Sequence, residues 1–361
     1  MKIVIIANNS NGLYLFRRQL IQALIEKGHK VIILTPFDAD VDNLKLIGAE
    51  LIETPIERRE TNLLKDLALL KRYKKELRYI RPELVITYTI KPNIYGGFVC
   101  SYYRIPYAPN ITGLGTAFEH DGFLRKFVII LYTHALKKAK VVFFENNSNR
   151  DCFIKERIVR QEKTYVLNGA GVDLEHFYYQ PYPENRVFRF LFIGRVMKEK
   201  GMGELLQAMN ELVLDGFECF IDILGDYEED YKERLERAEK SGWLKYHGNQ
   251  ADVRPFIKKC DCFVLPSYHE GMANTNLECA SSGRPIITSA IPGCREAVLD
   301  GVSGLLCEPH NTESLIDKMK HMMRINRMER EKMGRQGRQY MAEKFDKRIV
   351  VRETIQQLLS D

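Results

Sequence analysis

Phe188-Arg189-Phe190-Leu191-Phe192-Ile193-Gly194-Arg195-Val196-Met197-Lys198-Glu199-Lys200-Gly201 is the stretch that decides the fold. Its first six residues form a near-continuous apolar run of strand length. Such a run is buried on both faces, as parallel strands are when helices cover both sides of a sheet. A basic turn follows, then a helical pattern over about 202–214. The same order recurs downstream, with strands at 219–224, 244–247, 262–265 and 285–288 and helices at about 229–241, 253–259 and 275–282. From Asn311 onward the pattern is helical, with Asn311 as N-cap and Glu313 in the first turn.

Upstream the pattern is the same. Strands are expected at 2–7, 30–34, 50–53, 83–87, 107–111, 140–144 and 164–167, with helices at about 12–27 and 62–81. Gly28 and Pro82 supply the helix stops. Strands separated by helix-length segments imply βαβ units and parallel sheets, with ligand loops at the strand C-termini. The chain therefore reads as α/β, with two Rossmann-like doubly wound domains. The Pro-rich stretch Tyr-Tyr-Gln-Pro-Tyr-Pro-Glu-Asn at 178–185 reads as the link between them. The expected boundaries are 1–172 for the first domain, 173–185 for the linker and 186–346 for the second.

Composition agrees with two soluble domains. The 361 residues are 45% hydrophobic and 28% charged, which excludes a disordered, collagenous or disulfide-scaffold chain. No apolar run approaches the ~18 residues of a membrane span, and the first residues read as a buried strand and not a secretory signal. The eight cysteines form no CxxC pair and read as free core thiols of a reducing cytosol. Formal net charge is +6, split as +8 over residues 1–180 and −2 over the rest. A basic first half suits an anionic partner. Nucleic acid is not expected, because no zinc pattern, aromatic RNA-binding motif or basic coil is present.

Two constellations carry chemistry. The first runs from His269 and Glu270 through Gly271, Met272, Ala273, Asn274, Thr275, Asn276 and Leu277 to Glu278, after the strand at 262–265 and the turn Pro266-Ser267-Tyr268. Residues 273–276 are expected to open a helix, whose free N–H groups and dipole suit a diphosphate. Gly271 permits close backbone approach, and a carboxylate such as Glu278 can accept both ribose hydroxyls. The second constellation is the turn holding Arg195 and Lys200, two fixed cations able to stabilise a departing diphosphate.

These motifs resemble the retaining glycosyltransferases of the GT-B fold, glycosyltransferase family 4. Further similar stretches are Asn168-Gly169-Ala170-Gly171-Val172-Asp173, Gly248-Asn249-Gln250-Ala251-Asp252-Val253 and Gly283-Arg284-Pro285-Ile286-Ile287. The resemblance implies two domains facing a central cleft, with a last helix, about 347–361, crossing back to the first domain. It implies that Glu278 binds ribose, that Arg195 and Lys200 bind the diphosphate, and that Glu270, with Met272, Ala273, Asn274 and Thr275, meets the donor. Gly248 and Val253 would frame the base. It further implies front-face transfer through an oxocarbenium-like ion pair, with Glu270 stabilising charge and the leaving diphosphate taking the acceptor proton. No metal or other cofactor is expected.

The first half is similar to a narrower group that extends polyprenyl-diphosphate-linked sugars. The stretches that carry this are Gly12-Leu13-Tyr14-Leu15-Phe16-Arg17, Thr89-Ile90-Lys91-Pro92-Asn93 and Ile111-Thr112-Gly113-Leu114-Gly115. Asn11, Gly12, Lys91, Gly113 and His120 are accordingly expected to face acceptor or sugar. Gly113 stands where many members carry a histidine, and His120 is the candidate substitute. Lys71, Lys74, Lys75 and Arg78 recur at helical spacing beside an apolar stripe of Leu63, Leu67, Leu70, Leu77 and Ile80. They form a candidate patch for an anionic membrane surface, at about 1 kcal/mol per basic residue. Arg17, Arg18, Arg58, Arg59, Arg125 and Lys126 are candidate extensions, and 127–131 either dips toward lipid or joins the core. Asp38-Ala39-Asp40-Val41-Asp42 is expected to cap a helix and not to bind metal.

The expected activity is transfer of a hexose or N-acetylhexosamine from a UDP-sugar to a polyprenyl-diphosphate-linked saccharide, on the inner face of the cell membrane, in bacterial surface polysaccharide or glycan synthesis. The alternatives are a nucleotide-sugar 2-epimerase on the same fold and a non-catalytic partner subunit.

Overall fold

A computed structural model of the chain describes residues 1–56, 63–115, 118 and 122–360. The chain divides into two compact units, Met1–Ala170 with Lys347–Asp361, and Gly171–Asp346.

The first unit is a parallel sheet of seven strands: β1 (Lys2–Ile6), β2 (Lys30–Thr35), β3 (Glu50–Glu53), β4 (Leu84–Tyr88), β5 (Tyr107–Ile111), β6 (Val142–Phe144) and β7 (Thr164–Val166). Their order is β3-β2-β1-β4-β5-β6-β7. Val4 of β1 is flanked by Ile32 of β2 and Val85 of β4. The sheet is covered by α1 (Ser10–Glu26), α2 (Val41–Leu46), α3 (Leu63–Ile80), α4 (Gly97–Tyr103), α5 (Phe123–Leu136) and α6 (Asn147–Lys155). Strand side chains alternate between two cores. Val4 and Ile6 join one with Tyr73, Leu77 and Tyr132. Ile3 and Ile5 join the other with Leu20, Ile21 and Leu24.

The second unit has the order β10-β9-β8-β11-β12-β13, from β8 (Phe188–Ile193), β9 (Cys219–Leu224), β10 (Leu244–Tyr246), β11 (Cys262–Leu265), β12 (Ile286–Ser289) and β13 (Gly304–Cys307). Its helices are α7 (Met202–Leu214), α8 (Lys232–Lys240), α9 (Arg254–Lys259), α10 (Asn274–Ser281), α11 (Thr312–Arg324) and α12 (Arg327–Lys344). The chain then returns to the first unit as α13 (Lys347–Leu359), whose Val350, Ile355 and Leu358 pack in the core that includes α1.

Residues 173–185 are not a free linker, because three arginines fasten this stretch to the second unit. Arg284 is fully buried, and each of its five N–H donors reaches a carbonyl: Ile257, Gln180, Gly283, Pro181 and Lys258. A buried guanidinium is tolerable only when satisfied in this way. Arg338 donates to the carbonyls of Leu174 and Phe177, and Arg330 Nε donates to the Tyr182 hydroxyl.

Other expectations also change. The buried stripe of α3 is Leu69, Tyr73, Leu77 and Ile80, while Leu67 is exposed. Asp40 makes no side-chain cap on α2. Instead Asp38 accepts from the Ser10 backbone and hydroxyl, and Asp40 accepts from Asn11 and Asn43, locking the loop after β1. All eight cysteines are free, seven buried and Cys152 partly so.

Candidate active site

Each sheet has one place where the connections turn to opposite sides. In the second sheet it lies between β8 and β11, because β9 and β10 extend one way and β12 and β13 the other. Loops that leave the strand ends there splay apart and open a crevice. The loop after β8 carries Arg195 and Lys200, and the loop after β11 carries Ser267 to Ala273. The topology therefore brings the two sequence constellations to one point.

The side chains meet there. Lys200 Nζ pairs with Glu270 Oε1, and the Ser267 hydroxyl donates to the same oxygen at 2.9 Å. Both charged side chains are largely buried, at 16% and 12% exposure. Such a pair holds both side chains in a fixed orientation where water screens little. Arg195 is held differently. Its Nη1 lies 3.6 Å from Glu228, and its side chain is half exposed. The two cations thus share no carboxylate partner.

Glycines let these loops approach. Gly201 has φ +70°, and a Cβ there would fall 2.1 Å from the Pro266 carbonyl. Gly225 has φ +132°, and a Cβ there would fall 2.0 Å from the Gly194 carbonyl. At both positions only glycine combines the left-handed backbone with the close contact. The Tyr268 N–H then donates to the Glu199 carbonyl at 2.8 Å, tying the two loops together.

Met272 and Ala273 are buried, and the Ala273 N–H donates to Gly293 O at 2.7 Å. Asn274 and Thr275 open α10, whose N-cap Ala273 offers no side-chain cap. Glu278 follows one turn later and is partly exposed. Asn276, buried within α10, donates to the Thr288 hydroxyl at 3.1 Å. Gly248 accepts the Gly225 N–H at 2.8 Å, and the Val253 carbonyl accepts from Phe256 and Ile257 at the start of α9. Asp222, buried in β9, holds His247 Nε2 at 2.8 Å, and the His247 ring packs against Phe256.

The sequence reading missed Ser267, Tyr268, Glu204 and Gly293. Tyr268 donates from its hydroxyl to Glu204 in the first turn of α7, joining that helix to the Glu270 loop. Burial, with Glu204 beside it, pushes the Tyr268 hydroxyl well above the ordinary tyrosine range. Ser267 and Tyr268 stood in view in the Pro-Ser-Tyr turn, and the Pro292-Gly293 pair was a turn signal before a close approach.

In the first unit the corresponding place lies between β1 and β4. Asn11 there donates to Asp40 at 2.7 Å, and the Gly12 N–H donates to the Asn9 side chain at 2.5 Å. A Cβ on Gly12 would fall 2.4 Å from that Asn9 oxygen, so this glycine makes room for its own helix cap. Lys91 Nζ lies 2.9 Å from Asp66 Oδ1, with both side chains mostly buried. Gly113 lies in the irregular stretch after β5, and His120, Arg58 and Arg59 fall outside the described residues. Arg17 is no part of a surface patch. It is buried, 2.5 Å from Glu145, and covers the Tyr88 ring. Burial pushes the Glu145 carboxyl up, and Arg17 opposes this. Arg125 is engaged with Glu156 at 2.6 Å. Among the described residues no group of three or more His, Cys, Asp or Glu could hold a metal ion.

Solved structures share this architecture over its whole length. A glycosyltransferase from Rickettsia africae has TM-score 0.82 at 17% identity, covering 100% of this chain and 99% of its own. Anabaena HepE in complex with UDP and glucose also has TM-score 0.82, at 16% identity and 99% of each chain. Two doubly wound units of this kind define the class as the α/β GT-B fold.

The sequence model described as Glycosyltransferase Family 4 matches residues 12–176, and that described as Glycosyl transferases group 1 matches 180–340. The chain belongs to this family of glycosyltransferases, and the protein is an enzyme of the transferase class. Among its relatives is the N,N'-diacetylbacillosaminyl-diphospho-undecaprenol alpha-1,3-N-acetylgalactosaminyltransferase of Campylobacter jejuni. It is 27% identical over 88% of each chain. Another is the UDP-Gal:alpha-D-GlcNAc-diphosphoundecaprenol alpha-1,3-galactosyltransferase of Escherichia coli. It is 27% identical over 72% of this chain and 71% of its own.

Proposed function

We propose that this enzyme transfers a hexose or N-acetylhexosamine, with retention of configuration, from a UDP-sugar to a polyprenyl-diphosphate-linked saccharide. The reaction would serve surface polysaccharide or glycan synthesis at the cytoplasmic face of the membrane. The observation that carries the donor side is the Lys200–Glu270–Ser267 cluster at the switch point of the second sheet. The acceptor class follows from the two relatives whose names specify diphospho-undecaprenol substrates.

In this reading the donor diphosphate lies over the uncapped start of α10, with Lys200 and Arg195 beside it. Charge grows on the diphosphate as the glycosyl bond breaks, so fixed cations stabilise the transition state more than the ground state. Glu270, fixed by Lys200 and Ser267, faces the sugar as cationic character develops there. Glu278 takes the ribose hydroxyls, and the loop bounded by Gly248 and Val253 holds the base. Two protein cations supply the charge that a divalent ion supplies in other transferases. Activity is therefore expected to persist in excess EDTA, and its loss would refute this part.

Membrane attachment is part of the same proposal. Lys71, Lys74, Lys75 and Arg78 are all exposed on α3, and Leu64 and Leu67 continue that surface at 80% and 49% exposure. On α5, Val128, Tyr132, Ala135 and Leu136 face the core, while Phe123, Leu124, Phe127 and Ile130 are exposed. Lys74 Nζ lies 4.9 Å over the ring of exposed Tyr102 on α4, between those helices. Cations beside exposed apolar side chains suit an anionic lipid interface. No helix among the described residues is long and apolar enough to cross a membrane.

The test of the whole reading is transfer of labelled sugar from UDP-sugars to a polyprenyl-diphosphate saccharide. The product should be lipid-extractable and resist inverting-linkage-specific glycosidases. Label that stays water-soluble would refute the acceptor assignment.

A further inference from the structure

The cation assigned to the acceptor side, Lys91, sits in an unusual piece of backbone. It follows β4, at the edge where the first sheet's connections diverge. Thr89, two residues earlier, has φ +74°. For a β-branched residue that is a true outlier, and such strain persists only where the surroundings enforce it. The Thr89 hydroxyl is buried without a hydrogen-bond partner. Pro92–Gly96 then forms a π-helical turn, an irregularity that concentrates at functional sites. A Thr87–Asn93 side-chain bond of 2.6 Å and an Asn93–Asn110 carbonyl bond of 2.8 Å fix the turn from below.

Asp66, in the first turn of α3, holds this segment from the other side. Its carboxylate is 2.9 Å from Lys91 Nζ, with only 14% of the Asp66 side chain and 17% of the Lys91 side chain exposed. Tyr95, within the π turn, lies beside the same carboxylate, and burial together with Asp66 pushes its hydroxyl upward. One anion from α3 therefore holds the ammonium that leads into the π turn.

We propose that Asp66 is a positioning residue for the acceptor diphosphate. It fixes the Lys91 ammonium at the sheet edge so that a phosphate oxygen meets a cation already in place. This rests on the lipid-diphosphate reading given above. A free lysine loses the rotamer entropy of a four-carbon stem on binding. Asp66 removes that loss in advance through a close, mostly buried pair.

The test uses two soluble acceptors that carry the same N-acetylhexosamine, one on farnesyl diphosphate and one on an uncharged octyl group. Wild-type enzyme is expected to have a lower KM for the diphosphate acceptor. Lys91→Met and Asp66→Asn should each raise that KM about tenfold, the effect of one charge-assisted contact. They should shift KM for the octyl acceptor and the UDP-sugar by less than about twofold. Asp66→Glu should recover part of the loss. The UDP-induced rise in melting temperature reports an intact fold in every variant. Unchanged discrimination in Lys91→Met overturns the proposal while leaving the transferase reading standing. A lower diphosphate KM in Asp66→Asn overturns it too, since Asp66 would then compete with phosphate. No transfer by the wild type to either acceptor overturns the parent reading, and this proposal with it.

Discussion

Lys200 and Glu270 stand 70 residues apart in sequence and touch in the fold. Each alone has an ordinary structural explanation, a basic turn or a loop acid. Their contact at the switch point turns two weak signals into one site. Lys200→Ala is expected to lower kcat by about 100-fold or more, as loss of a preorganised transition-state charge does. Nucleotide binding should weaken much less, measured by titration calorimetry. Glu278→Gln should do the reverse, weakening UDP binding with a smaller effect on kcat; unchanged UDP affinity would remove Glu278 from the ribose role. Residue types and loop positions were legible in sequence, because the strand before each loop is apolar throughout or broken only by Arg189. The partners were not. Glu228 for Arg195, Asp66 for Lys91 and Glu145 for Arg17 come from other elements, and nothing in local spacing announces them.

At the scale of elements, strands were easier to read than connections. The apolar runs at β8 and β11 admitted one interpretation. The stretch at 178–185 reads as a linker by composition, since proline and polar residues mark exposed chain, and the three arginines that fasten residues 174–182 lie more than 100 residues downstream. Arg284→Ala should therefore destabilise the second unit by more than about 3 kcal/mol, since it strips partners from several buried carbonyls. Chemical denaturation followed through the single Trp243, which is 7% exposed in this unit, would measure it.

The loop after β1 gives a pH prediction. Burial of Asp38 raises its pKa, but hydrogen bonds from the Ser10 hydroxyl and nearby backbone N–H groups outweigh it, so the net shift is downward from 3.8. A carboxyl with a lowered folded-state pKa adds stability that is complete above its unfolded pKa and lost as pH falls through the folded one. The stability difference between wild type and Asp38→Asn should thus be constant above about pH 5 and shrink below about pH 4.

At the scale of the molecule, the net charge of +6 is a poor guide to function, whereas its division into +8 and −2 points at the two units. The first unit exposes lysines on α3 and apolar side chains on α5. Binding to vesicles with anionic lipid should exceed binding to neutral ones, falling in Lys71/Lys74/Lys75→Glu and, independently, in Phe123/Phe127→Ser. Equal partitioning onto both vesicle types would refute the membrane patch. In the proposed reaction the second unit needs no bulk charge, because Lys200 and Arg195 would act singly at a sheet edge. The proposed reaction is glycosyl transfer to a lipid-linked diphosphate acceptor. It is tested most directly by incubating the enzyme with a radiolabelled UDP-sugar panel and a polyprenyl-diphosphate N-acetylhexosamine, then partitioning the products between butanol and water. Acceptor-dependent label is expected in the butanol phase for at least one sugar, abolished by Lys200→Ala. Label that remains in the aqueous phase for every sugar, with or without acceptor, would contradict it.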